Sequence, residues 1–299
     1  MLGRQISLRN DGLSFTAWVD DTADGDWVLL LHGFPDGPET WEHQVSALVA
    51  SGYKTLVLTS RGYEGGSCPE NNDYQLISLA DDVPAWLDAL DIQKVHFIGH
   101  DWGASIGYAV AARRPERLIS LSCLAVPHPA RLAEAIASQP AQLWRSRYII
   151  GFQFKGLAEW RIRRNNFAWI ERLWKRWSPN WQIPVNRLVA VKKRFQQPGV
   201  LEATLCYYRQ GTDTKTDIGK ASRALSQQAV TVPTLGLCGA EDACISADVF
   251  VGSMQASDFP EGLSVHCIPN AGHFLHLEQP QVVNDHLLKW LASDKRNVA

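Results

Sequence analysis

Nowhere in these 299 residues do about 18 apolar side chains follow one another without interruption, so the sequence offers no membrane-spanning helix. The stretch Met1-Leu2-Gly3-Arg4-Gln5 lacks the apolar centre of a secretory signal. No internal repeat or low-complexity tract is found. A dominant charge is missing too. The 29 basic and 31 acidic residues leave a net charge of −2, which gives no general argument for nucleic acid or an acidic partner. Six cysteines (Cys68, Cys123, Cys206, Cys238, Cys244 and Cys267) show no Cys-x-x-Cys pair and no zinc-ligand spacing. Several fall in expected strands, as buried thiols do in a reducing compartment. These absences lead us to expect a soluble, cytoplasmic protein. They fix no oligomeric state.

The 45% hydrophobic content is enough to bury a large core. Residues 5–19 read as two antiparallel strands joined by the turn signal Asn10-Asp11-Gly12. Apolar runs at Trp27–Leu31, Lys54–Leu58, Lys94–Ile98 and Leu118–Val126 read as strands, with helices expected at 40–50 and 76–90 between them. Alternation at this spacing implies an α/β fold, a mostly parallel sheet flanked by helices. The pattern breaks at Pro127-His128-Pro129 and resumes at Thr231, with further strands expected at 232–237 and 263–268 and a last helix at 280–292. We therefore expect residues 1–129 and 229–299 to form the core, interrupted by a helical cap at 130–228.

The most informative segment is Gly99-His100-Asp101-Trp102-Gly103, between an apolar strand and a helix of small residues. Small residues on either side of a nucleophile tolerate the sharp turn of a nucleophile elbow. An aspartate at its apex cannot run serine ester hydrolysis, and Ser105 lies within the following helix. A carboxylate can instead open an electrophilic carbon, forming an alkyl ester that water then cleaves. Such a nucleophile needs oxyanion donors, a base for water, and a group to orient the base. Asp242 follows the strand at 232–237 and His273 follows the strand at 263–268, in the expected chain order. Glu241 and Asp248 compete with Asp242, whose place after the strand favours it. Backbone N–H groups of Phe34 and Trp102 are the candidate oxyanion donors, the latter at a helix N-terminus that favours negative charge. His32 and His100, beside these loops, read as structural hydrogen-bonding groups, and His276 as a supporting residue.

His32-Gly33-Phe34-Pro35-Asp36, Gly99-His100-Asp101-Trp102-Gly103-Ala104 and Gly272-His273-Phe274 together resemble the epoxide hydrolases of the α/β-hydrolase fold. The likeness extends through Arg61-Gly62-Tyr63, Val126-Pro127-His128-Pro129 and Leu277-Glu278, across nearly the whole core. The resemblance implies a covalent ester on Asp101, hydrolysed by water that His273 activates, with Asp242 orienting His273. It also implies two cap tyrosines donating to the epoxide oxygen. Tyr148 and Tyr208 occupy positions similar to these, and they would bind substrate together with Phe34 and Trp102. The adjacent Tyr207 lies on a different helical face, and only the pairing with Arg209 chooses Tyr208. A cis peptide is expected at Phe34–Pro35. The reactants implied are a small-molecule epoxide and water, with no metal and no organic cofactor. A haloalkane dehalogenase would share Asp101 and His273, but that family usually carries Asn or Glu where this chain has Phe34. A non-catalytic scaffold holding a small ligand is the alternative of another class.

The insert is basic. From Arg145 to Arg194 there are thirteen Lys or Arg residues against Glu159 and Glu171, interleaved with or beside Trp144, Trp160, Trp169, Trp174, Trp177 and Trp181. We expect a solvated basic face with tryptophans packing the cap onto the core. Contact with a membrane surface, or a preference for lipophilic or acidic substrates, is the sharper reading.

Overall fold

A computed structural model describes residues 2–294. The N-terminal hairpin pairs β1 (Arg4–Asn10) with β2 (Leu13–Asp20), whose alternating burial marks one face turned to the core. Six further strands follow: β3 (Trp27–Leu31), β4 (Lys54–Leu58), β5 (Val95–His100), β6 (Leu118–Leu124), β7 (Thr234–Gly239) and β8 (Leu263–Ile268). They build one eight-stranded sheet in the order β1-β2-β4-β3-β5-β6-β7-β8. Pairings from β4 through β8 are parallel, while β1 and β2 join antiparallel at one edge. The central strands β5 and β7 are buried along their whole length, as a sheet covered on both faces requires.

Side chains alternate across that sheet into two apolar layers. Leu29, Leu31 and Phe97 pack on one face, and Val28, Leu30 and Ile98 on the other. Helices cover both. In chain order they are α1 (Glu42–Ala50), α2 (Leu76–Asp88) and α3 (Trp102–Arg113), followed after β6 by α4 (Pro129–Ser138), α5 (Pro140–Ser146) and α6 (Tyr148–Phe152). Next come α7 (Leu157–Trp177), α8 (Val185–Phe195), α9 (Val200–Gln210) and α10 (Asp217–Leu225), then α11 (Ala247–Ser253), α12 (Leu275–Glu278) and α13 (Pro280–Asp294). Helices α4 to α10 thus all lie between β6 and β7. Helix α7 is broken at residues 164–167, where Asn165, Asn166 and Phe167 take positive φ and Phe167 is buried. Among the described residues no helix is long and apolar enough to cross a membrane.

Several boundaries differ from the expectation for local reasons. Strand β6 stops at Leu124 because Ala125 turns to φ +65°. Strand β7 begins at Thr234, since Pro233 has no N–H to give the ladder. Strand β5 runs on to His100, so the turn that follows has a single residue in which to reverse the chain.

One buried ion pair went unread in the sequence. Arg61 grips Asp82 through Nε at 2.8 Å and Nη2 at 2.6 Å, with side-chain exposures of 6% and 0%. Asn10 donates a further bond to Asp82 at 2.8 Å, tying the first strand to α2. Removing one partner of such a pair strands the other charge. Asp82→Ala is expected to lower the unfolding free energy by about 3–5 kcal/mol, read from the urea midpoint. A loss within the range of ordinary surface substitutions would show that Arg61 finds water instead.

Candidate active site

Asp101 stands alone between β5 and α3, at φ +53° and ψ −118°. That backbone region disfavours any residue with a Cβ, so surrounding contacts must hold it. Space around the turn is nearly exhausted. A Cβ on Gly103 would fall 2.0 Å from the Leu31 carbonyl oxygen, and one on Gly99 would fall 2.4 Å from Gly103. Gly33 faces the nucleophile itself, since a Cβ there would lie 2.5 Å from Asp101 Cβ and Oδ1. Although Asp101 occupies the N-cap position of α3, its side chain caps nothing. Its Oδ1 accepts instead from Phe34 N–H at 2.7 Å, across a cis Phe34–Pro35 segment. Trp102, the other sequence-assigned donor, opens α3.

The second carboxylate oxygen faces His273, with Nε2 and Oδ2 3.6 Å apart. On the far side of the ring, Nδ1 and Asp242 Oδ2 are 2.9 Å apart. Asp242 is fixed in turn by Cys244 N–H at 2.6 Å and Ile245 N–H at 3.1 Å, both donating to its Oδ1. Glu241 is engaged elsewhere, accepting from Asn180, and Asp248 is exposed. Asp101, Asp242 and His273 are all buried. Burial works against a charged imidazole, but the negative charge of Asp242, the nearby Asp101 carboxylate and the hydrogen bond to Asp242 outweigh it, pushing His273 up to about 10. His273 is therefore an imidazolium in the resting state at neutral pH.

Above Asp101 lies a cage of aromatic rings. Tyr208 packs edge-on against Phe34 at 5.3 Å, Trp102 at 5.2 Å, Phe152 at 5.0 Å and Tyr148 at 5.8 Å. Burial raises both phenols, Tyr148 and Tyr208, well above their usual range, and the charge of Asp101 adds to the effect on each. Both therefore stay protonated at neutral pH, as hydrogen-bond donors must. Tyr148 Oη rests 3.7 Å from Cys244 Sγ, while Tyr208 Oη is buried without a partner at hydrogen-bonding distance. Trp102 still lies close enough to oppose part of the rise at Tyr208. Neighbouring Tyr207 is otherwise engaged, donating to the Arg61 carbonyl at 2.6 Å.

Trp177, which the sequence did not single out from the insert's other tryptophans, has two roles. Its ring packs 4.8 Å from His273 and 5.3 Å from Tyr148, and its carbonyl accepts from both Ala243 N–H and His273 N–H at 3.2 Å. The next residue, Ser178, donates to Glu278 at 2.6 Å, and Glu278 accepts from Gly272 N–H at 3.0 Å. Nothing local in the sequence marks these contacts, which join residues about a hundred positions apart. His32 accepts from Ser60 N–H, and His100 bonds the His273 carbonyl at 2.9 Å. Burial lowers each to about 3, so both are neutral structural groups. The one group of metal-ligand type among the described residues is Asp36, His100 and His276, behind the nucleophile. There, burial pushes Asp36 up to about 7 and lowers both histidines.

A family model described as the α/β hydrolase fold matches residues 26–280. An AB hydrolase superfamily protein of Bacillus subtilis (strain 168) is 28% identical over 285 residues, which cover 95% of this chain and 96% of that one. Epoxide hydrolase 4 of Mus musculus is 29% identical over 298 residues, covering 97% and 80% respectively. Among solved structures, a mutant of an epoxide hydrolase from Bacillus megaterium matches with a TM-score of 0.84 at 24% identity. That match covers 96% of this chain and 100% of the other, and it speaks to the fold alone.

Two outcomes follow from the geometry. Gly103→Ala must displace the β3 backbone, so a loss of at least about 1–3 kcal/mol is expected in urea unfolding, together with loss of any Asp101-dependent activity. An alanine that leaves the midpoint unchanged would contradict the close approach. The second outcome concerns pH. The folded pKa of His273 lies above its unfolded value of 6.5, so its stabilising contribution is complete below 6.5 and is lost as pH rises through about 10. The stability difference between wild type and His273→Gln should therefore shrink over that window. A difference that stays flat would mean His273 is neutral in the folded state.

Proposed function

Because the chain belongs to the α/β-hydrolase fold family, we propose that it hydrolyses epoxides to vicinal diols through an ester on Asp101. The carrying observation is a carboxylate, not a hydroxyl, at the elbow beneath two protonated phenols. Relatives named epoxide hydrolases that align over most of the chain support the same reading. Helices α4 to α10, which carry both tyrosines, are the proposed cap on a core formed by the rest of the chain.

In this mechanism Asp101 Oδ2 attacks a ring carbon, because Oδ1 is held by Phe34 N–H. As the new C–O bond forms, the ring C–O bond breaks and its electron pair goes to the epoxide oxygen, which takes a proton from Tyr208 or Tyr148. General-acid help of this kind is worth about 10²–10⁴-fold. An epoxide needs it because, although ring strain favours opening, the alkoxide is a strongly basic and poor leaving group.

Esterification also removes the charge of Asp101, one of the groups that hold the imidazole protonated. The His273 proton is then free to replace the one that the phenol gave up, leaving Nε2 as a base. Water attacks the ester carbonyl carbon and passes a proton to Nε2, and the developing negative charge on Oδ1 meets the Phe34 N–H. Trp102 N–H, at the helix N-terminus, is the proposed second donor. On collapse the carbonyl reforms, the bond between the carboxyl carbon and the former Oδ2 breaks, and the departing alkoxide takes the proton of the newly added hydroxyl, which releases the diol and restores the Asp101 carboxylate. We further infer a cytoplasmic location, which the free, partly buried cysteines support.

The deciding experiment is intact mass spectrometry of His273→Gln after incubation with styrene oxide and, separately, 1-bromobutane. A gain of the whole epoxide mass, mapped by digestion to Asp101, is the expected result. A butyl adduct alone would mean halide displacement instead. Tyr208→Phe is expected to slow adduct formation by about 10²-fold or more, and Tyr148→Phe with it to nearly abolish the reaction. A double variant that retains wild-type turnover would overturn the acid assignment.

A further inference from the structure

Of the thirteen basic residues between Arg145 and Arg194, eleven can be sorted by what they touch. Arg163 pairs with Glu202, Lys175 and Lys192 with Glu171, Arg187 with Glu42, and Arg194 with Glu39. Arg145 donates to the Asp242 carbonyl, and Arg164 lies over the Trp160 ring. Arg147, which also lies over the Trp144 ring and donates to the Trp144 carbonyl, lines a single cavity of about 490 Å³ together with Arg161, Arg172 and Arg176. No carboxylate lines that cavity, and none of the four forms an ion pair among the described residues. Four guanidiniums around one space repel one another. Burial, then the nearby Arg147 charge, hold Arg176 below the usual guanidinium range.

The cavity also has a chemical neighbour. Tyr148 and Phe152 form part of its wall, and the same two rings belong to the cage around Tyr208. Ile162 and Leu173 give it apolar surface, so it is a chamber of ligand size lined by both apolar residues and arginines. Tyr148, one of the two phenols of the cage, is thus shared between the cage and the cavity.

We propose that this chamber binds the anionic end of the substrate, making the preferred substrates epoxides that carry a carboxylate several atoms from the ring. The inference rests on the hydrolase reading for the reaction, but the anion site stands on the arginines alone. Guanidinium matches carboxylate in a bidentate fork, and no acidic side chain lines the chamber to compete for it. Recognition at the carboxylate also fixes which end of the molecule faces Asp101. The epoxide ring, nearly symmetric in size, offers little handle of its own.

Two measurements test this separately from the chemistry. Calorimetry compares octanoate, which has no ring to open, with octan-1-ol. Octanoate is expected to bind at least tenfold more tightly and to weaken with added salt. That preference should survive in the Arg161→Lys/Arg172→Lys variant and vanish in Arg161→Gln/Arg172→Gln. Arg161 and Arg172 are both exposed, so neither pair of changes empties a packed core. Equal affinities in the wild type, or a preference that persists in the glutamine variant, would overturn the anion site. Kinetics then compare 6,7-epoxyheptanoate with its methyl ester. The ratio of kcat/KM, acid over ester, is expected to exceed ten and to fall toward one in the glutamine variant. A ratio near one in the wild type overturns the substrate class. Selective octanoate binding without turnover of either epoxide would sink the hydrolase reading and leave the anion site standing.

Discussion

Strand β5 hands its chain to helix α3 through one residue, in a space where the backbones of β3, β5 and α3 nearly touch. Asp101 takes positive φ there because no second residue is available to share the reversal. A left-handed residue of this kind costs on the order of 1–3 kcal/mol, which the surrounding sheet has to outweigh. The return is position. The carboxylate is lifted off the sheet edge, one oxygen toward Phe34 N–H and the other toward His273. The glycines at 33, 99 and 103 make this possible, each by lacking a Cβ that would strike backbone or the nucleophile.

Electrostatics at the site follow from the same crowding. Two carboxylates share one buried imidazole, and His273 holds its proton to about 10. Such an arrangement is inert as a base until one of the charges is removed, as alkylation of Asp101 would do in the proposed reaction. The substrate, in effect, arms the base. Asp242 is held by two backbone N–H groups as well as by the imidazole, so its position is fixed independently of Asp101.

The parts of this protein that are local in sequence were legible from it. The strand–turn–helix around Asp101, the loops after β7 and β8, and the alternation of the sheet all show in composition and spacing over a few residues. Contacts between distant segments left no such trace. Arg61 and Asp82 are each ordinary in their own segment, and only the fold makes them a buried pair. Tyr207 and Tyr208 are chemically identical neighbours, and a hydrogen bond to the Arg61 carbonyl separates their duties. Trp177 is one of several tryptophans in the insert, distinguished only by what its ring and carbonyl reach. The basic insert read as a single charged face, whereas the fold sorts its residues into paired cations and a set of four around a cavity.

The break in α7 at residues 164–167 and the carbonyl of Trp177 together limit how this protein could be recombined with others of its kind. Beyond the break, the helix runs into a residue whose carbonyl receives the main chain of both catalytic loops. That limb has the same status as a core element, although it lies within the insert by sequence. A transplant of the whole insert would therefore carry away the support of the host's own acid and histidine loops. The natural seam for exchange lies at the break, with everything after it kept by the host.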